Sequence, residues 1–233
     1  MFNRFTITAL PSSIELKFKI KVPDTYQPNF NAAPDQILPI VLNSNPKEAV
    51  SAQWGLIPGL SKHKELSPKI YTKHINSIKS SEIWLKVLRE RRCIVLADGF
   101  YIWKFVSKKS MIPYRVVAKT GNMICFCGIW ESEDLNNPLN NKISFSIVTR
   151  ETYKPVHELS EEMPVVLTPQ KESSWLDPSL SMEKIIHEIE LEDWALLKYY
   201  PVSPKIRDIN INTPSLIKLS PPSDQHGNLS LFG

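Results

Sequence analysis

Apolar and polar positions alternate with strand period along much of this 233-residue chain, and only short stretches carry a helical stripe. The strongest local signal is the apolar run Cys93 to Leu96, followed by Ala97-Asp98-Gly99 and then Phe100 to Lys104. Asp98-Gly99 is a turn dipeptide. The residues after it put Phe100, Ile102 and Lys104 on one face of a strand and Tyr101 and Trp103 on the other. The pattern predicts a β-hairpin turning at Asp98-Gly99, with its aromatics in a sheet core. Ile37 to Leu42, Val50 to Trp54, Tyr114 to Ala118, Met123 to Trp130, Ile143 to Thr149 and Met163 to Leu167 read as further strands. Glu131 to Lys142 reads as a hairpin loop between two of them.

Helical signals are fewer. Ser81 can cap a helix that carries Trp84, Val87, Leu88 and Arg91 along one stripe. Thr168-Pro169 opens another, with proline at its first position, and the residues on to Tyr200 read as helical. Near the N-terminus two signals conflict: Ser12-x-x-Glu15 has capping-box spacing, whereas Ile14 to Val22 alternates like a strand. Pro23 to Pro34 and the basic stretch 61–79 read as loops, the second of them exposed. Beyond Pro214 the chain is polar and proline-rich, which predicts a mobile tail over 214–233 after a single domain over 1–213. Strands outnumber helices without βαβ alternation, so the expected class is α+β with mainly antiparallel sheet.

Composition changes this picture little: 42% hydrophobic and 22% charged residues are ordinary for a globular protein. No apolar run reaches membrane-span length, and no signal-peptide pattern opens the chain. Cys93, Cys125 and Cys127 have no disulfide or zinc spacing, and predict buried thiols in a reducing, cytoplasmic compartment. The five histidines, His63, His74, His157, His187 and His226, are scattered, so neither a metal nor a cofactor is expected. Charge is distributed unevenly. Residues 61–92 hold nine Lys/Arg against three Glu, a net +6 that exceeds the +4 of the whole chain. Residues 131–200 hold six basic and fourteen acidic side chains, a net −8. A basic half facing an acidic half fits a polyanion on one side, or simply two solvated faces.

Several separated blocks carry a resemblance. Ala97-Asp98-Gly99-Phe100-Tyr101-x-Trp103 is similar to the central signature of the SRAP (SOS response-associated peptidase) family, in which x is a glutamate. Asn31-Ala32-Ala33-Pro34, Trp54-Gly55-Leu56-Ile57-Pro58, Gly128-Ile129-Trp130, Ile147-Val148-Thr149, His157 with Met163-Pro164-Val165-Val166-Leu167, and Pro201-Val202-Ser203 resemble further family blocks. The resemblance implies a barrel-like antiparallel core with flanking helices, and a helix rather than a strand after Ser12. It also implies binding of single-stranded DNA and capture of abasic sites. In the family a cysteine directly after the initiator Met condenses with the sugar aldehyde, aided by asparagine, glutamate and histidine.

Carried over, the resemblance makes His157 and Asn76 the remaining catalytic positions, with an alternative alignment through Glu82 in place of Asn76. It gives Arg4, Asn76, Thr149 and His157 to the DNA-binding set, to which the basic stretch adds Lys73 and Lys79. Other positions depart from the family. Phe2 stands for the cysteine, Ile102 for the glutamate and Glu162 for an arginine, while Leu60 and Ser61 stand where tryptophan often stacks on bases. Thiol addition needs a nucleophilic sulfur beside a proton donor, and Phe2 and Ile102 supply neither. The expected protein therefore binds single-stranded or abasic DNA without crosslinking to it. Two other readings stay open: a residual enzyme that forms a Schiff base through the Met1 amine, and a protein-interaction module. An open basic groove favours the DNA reading, and a cleft filled by Phe2 and Ile102 favours the module.

Overall fold

The computed structural model describes residues 2–58, 68–190 and 196–229. Its architecture turns on Asp98. The strand before it, β6 (Arg92–Ala97), and the strand after it, β7 (Gly99–Ser107), do not pair with each other. The predicted hairpin is therefore a corner at which the chain leaves one sheet and enters another. The cause is long-range. The Asp98 carboxylate accepts hydrogen bonds from Thr6 Oγ1 at 2.5 Å, from Thr8 Oγ1 at 2.7 Å, from the Thr8 amide and from Arg115 Nη2 at 2.9 Å. Four donors from two other segments outweigh the local turn tendency of the dipeptide. Gly99 is required by close approach: a Cβ there would lie 2.9 Å from Arg115 Nε and 3.0 Å from the Val116 carbonyl oxygen.

One sheet is formed by β1 (Phe5–Ile7), β2 (Asn29–Ala32), β7, β8 (Ser110–Ala118) and β13 (Leu197–Pro201), in the order β13-β8-β7-β1-β2. The other holds β3 (Ile37–Leu42), β4 (Asn45–Trp54), β6, β9 (Ile124–Ser132) and β10 (Ile143–Glu151). These five close on themselves, because β10 pairs with β9 at one edge and with β4 at the other. The barrel-like core is thus present. Short strands β5 (Thr72–His74), β11 (Glu162–Pro164) and β12 (Val166–Leu167) extend it. The helices α1 (Pro11–Phe18), α2 (Ile75–Lys79), α3 (Glu82–Glu90), α4 (Pro169–Leu176) and α5 (Met182–Glu190) flank the sheets.

Alternation along β7 splits the interior as expected. Phe100 and Ile102 join the main core between the sheets, whereas Tyr101 packs on the outer face with Val202, Ile206 and Leu216, and half-buried Trp103 leans on the same group. Trp54 and Trp130 are core. Three further expectations are corrected. The described part of 61–79 is not a loop: β5 adds parallel to β10 and leads into α2. The helix expected up to Tyr200 gives way to β13, which pairs antiparallel with β8. The segment 214–229 is docked, with Leu216 only 1% exposed and the Asp224 carboxylate accepting from Ser110 Oγ and from the amides of His226 and Asn228. Residues 230–233 lie outside the described residues.

Candidate nucleic-acid interface

The two positions that depart from the family pattern, Phe2 and Ile102, lie in the same core cluster. β1 runs antiparallel to β7, with Phe5 opposite Phe100 and Thr6 opposite Gly99. The Tyr101 amide continues that ladder by donating to the Arg4 carbonyl at 3.0 Å, which puts Asn3 opposite Ile102. Phe2 turns inward. It is 2% exposed, with ring centroids 5.9 Å from Trp54, 5.8 Å from Phe100 and 5.8 Å from Phe126. Edge-on packing of this kind is favourable beyond the area it buries. Ile102 is 3% exposed and sits across from Tyr114. Neither side chain titrates, and both are committed to the core.

No described sulfur takes the missing place. Cys93, Cys125 and Cys127 are fully buried and unbridged, and burial pushes all three thiols well above their ordinary range. A thiol without thiolate character is a poor nucleophile. No group of His, Cys, Asp and Glu suited to hold a metal occurs among the described residues. Met1, Leu60 and Ser61, with Lys62 and Lys64, lie outside the described residues.

The expected DNA-binding residues divide. Arg4 is half-buried; its Nη1 donates to the Asn3 carbonyl at 2.8 Å, and its Nε is buried without a partner. Desolvation lowers its pKa from the ordinary arginine value. Among the described residues it has no ion pair, so an incoming anion would find an unneutralised guanidinium. Lys73 lies 4.8 Å over the Trp84 ring. Asn76 is exposed in the first turn of α2, with its amide donating to His74 Nδ1 at 3.2 Å. Glu82, the alternative position, is also exposed, at the start of α3.

Two of the set do not fit the role. Thr149 is fully buried in β10 between His74 of β5 and Pro164 of β11, so it cannot touch a nucleic acid. Its Oγ1 has no hydrogen-bond partner. Lys79 is paired with Glu190 at 2.5 Å, which partly cancels its charge. His157 is exposed in the 3-10 turn Val156–Glu158, with Nδ1 3.4 Å from Thr152 Oγ1. An indirect path links this turn to Ile102. Tyr114, opposite Ile102, meets Tyr199 edge-on at 5.6 Å, and Tyr199 donates to Glu158 Oε2 at 2.9 Å. Among the described residues, no hydrogen bond joins Arg4, Asn76 and His157 to one another.

The basic run is also less available than its count implies. Arg92 is fully buried and donates to the carbonyls of Leu88, Arg89, Trp175 and Asp177. Arg91 pairs with Glu90 and Glu131, both at 3.0 Å, and Lys69 pairs with Asp35. Lys73, Lys86 and Arg89 keep their charge unpaired among the described residues. Glu162 lies opposite Glu151, two acids side by side where the resemblance expects an arginine. Two contributors were missed in the sequence. His74 caps α2 and faces Thr149 across the ladder, and the Tyr114–Tyr199 pair carries no local motif.

Relatives and folds agree with this architecture. The abasic site processing protein YoqW of Bacillus subtilis is 29% identical over 227 residues, covering 94% of this chain and 99% of its own. The abasic site processing protein HMCES of Xenopus tropicalis is 26% identical over 227 residues, covering 82% of this chain and 66% of its own. A crystal structure of a Bacteroides thetaiotaomicron protein superposes with a TM-score of 0.79 at 19% identity, covering 93% of this chain and 99% of its own. The profile of the SOS response associated peptidase (SRAP) family matches residues 1–209, and with it the chain belongs to that family.

Proposed function

We propose that this protein recognises abasic single-stranded DNA in the response to DNA damage, and that it does so without forming the covalent bond. The fate of residue 2 carries the missing bond; taken alone it favours the interaction module, and the DNA partner rests on the relatives. The side chain there, Phe2, is 2% exposed inside the aromatic cluster, and Ile102, in the same core, is 3% exposed and has no proton to give. Relatives matched over nearly the whole chain are named abasic site processing proteins, which supports DNA with abasic sites as the partner. In this reading Arg4 and Lys73 meet phosphates, while exposed Asn76 and His157 contact the sugar or its neighbours. The three unbridged thiols support a reducing compartment such as the cytoplasm, and no helix among the described residues is long and apolar enough to cross a membrane.

A titration of labelled single-stranded DNA, abasic and intact, at two salt concentrations tests the proposal. Affinity should fall linearly on a log–log salt plot, with a slope of about −0.7 per neutralised phosphate. Absence of micromolar binding at low salt would refute it. A second reading, a protein-interaction module, draws on the same burial of Phe2 and Ile102 and on the paired state of Lys69, Lys79, Arg91 and Arg92. That negative titration is the outcome it expects.

A further inference from the structure

Beyond Ile102, β7 and β8 continue as a hairpin whose tip is built differently from the rest of the sheet. Phe105 is 67% exposed and Val106 36% exposed. The register shifts between Phe105 and Ser107, and a bulge of this kind re-aims side chains out of the ladder. Around the two apolar residues stand Lys104, half-buried, and Lys108 and Lys109, both exposed. Among the described residues none of these lysines forms a salt bridge, and the sequence from 99 to 130 contains no Asp or Glu. The hairpin is tied down on the β8 side of its turn. Met111 N donates to Gln225 Oε1 at 2.9 Å, Gln225 Nε2 donates to the Lys109 carbonyl at 2.7 Å, and Ser110 Oγ donates to Asp224 Oδ2 at 3.2 Å. A tip held in place loses less freedom when it binds.

We propose that this hairpin is a contact for single-stranded nucleic acid, with Phe105 stacking on an unpaired base and Lys104, Lys108 and Lys109 meeting the flanking phosphates. An aromatic platform among unpaired cations is the arrangement that binds single strands with little regard to sequence. Charge favours this occupant over others: three lysines without a salt bridge among the described residues, in a stretch with no acid of its own, suit a polyanion. Phe105 is three residues beyond Ile102, about 10 Å at roughly 3.3 Å per residue, and on the opposite face of β7, so it offers a surface of its own beside a core position that is closed. The inference rests on the DNA reading above and adds a surface along which the strand extends.

The test uses the full chain and a labelled oligothymidylate followed by fluorescence anisotropy. Phe105→Ala should weaken binding about 5- to 150-fold, which is the conversion of about 1–3 kcal/mol for one stacked base. Phe105→Trp should keep the affinity and Phe105→Leu should lose it, since stacking and not bulk is at issue. Lys108→Ala with Lys109→Ala should make the log–log salt slope shallower by about 1.4. These side chains are exposed, so the melting temperatures should match wild type. If wild type binds and Phe105→Ala binds equally well, the hairpin contact is overturned and the DNA reading stands. If wild type does not bind, both fall. If Phe105→Ala keeps DNA affinity but loses adhesion to phosphatidylserine vesicles, the occupant is a lipid surface and the proposal is overturned.

Discussion

Replacing Ile102 by glutamate, the residue expected there from the family pattern, measures how closed this position is to water. Ile102 is 3% exposed and sits among Phe100, at 0%, and Tyr114, at 3%. A carboxyl placed there must stay protonated, because ionising it in apolar surroundings costs more. Holding the proton at pH 7 on a group that ordinarily titrates near 4.3 costs about 1.36 kcal/mol per pH unit, or about 3.7 kcal/mol. Losing the buried isoleucine adds about 1.5–3 kcal/mol. The expected destabilisation at pH 7 is about 5–7 kcal/mol, a large share of the ~5–15 kcal/mol that holds a domain folded. The sign with pH follows from a folded-state pKa raised above the unfolded one: stability of the variant falls as pH rises from about 4.3 toward the folded value. Urea titrations at pH 5 and pH 7 should therefore differ by about 2.7 kcal/mol more for Ile102→Glu than for wild type. An unchanged midpoint at pH 7 would show that water still reaches position 102, and the reasoning about closure would fail.

Three further outcomes follow from single residues. Thr149→Val removes a buried hydroxyl that has no partner, so a urea melt should show no loss of stability or a gain of up to about 1 kcal/mol. Its affinity for single-stranded DNA should not change, and a drop would return Thr149 to the interface. Leu216→Ala should cost about 2–5 kcal/mol in the same melt, because Leu216 is 1% exposed in the outer cluster; a change within 0.5 kcal/mol would mean that the C-terminal segment is not docked in solution. Cys93, Cys125 and Cys127 should resist a thiol reagent in the native state and react after unfolding, and rapid native labelling would expose a nucleophile that the burial excludes.

Much of the fold is legible where the signal is local. Ile37 to Leu42 is a strand with the expected ends, Ser81 and Thr168 precede helices as expected, and the two faces of β7 separate as its alternation dictates. What escapes is set by partners far along the chain. Asp98-Gly99 looks like a hairpin turn until Thr6, Thr8 and Arg115 supply donors to the carboxylate. Thr72-Lys73-His74 has no strand pattern, and becomes a strand only because β10 offers an edge. Counting charges in 61–92 cannot foresee that Arg92 is buried among carbonyls or that Lys79 meets Glu190 from another helix. Thr149 reads as a site residue from its motif, yet β10 is covered on both faces there, and period-two alternation gives no warning of that. The departures from the family pattern at Phe2 and Ile102 are visible in the sequence; the burial of both side chains in the core is not.

The most direct test of lost covalent chemistry with retained recognition is one incubation with abasic single-stranded DNA, divided between a native gel and a denaturing gel. A stable ring around the aldehyde carbon needs a thiol and an amine on the same N-terminal residue, and Phe2 offers no sulfur. The predicted result is a shifted complex on the native gel and no protein–DNA band on the denaturing gel, unless borohydride has trapped a Schiff base. A denaturant-stable band formed without reductant would contradict it, because some other nucleophile would then be doing the work of the missing cysteine.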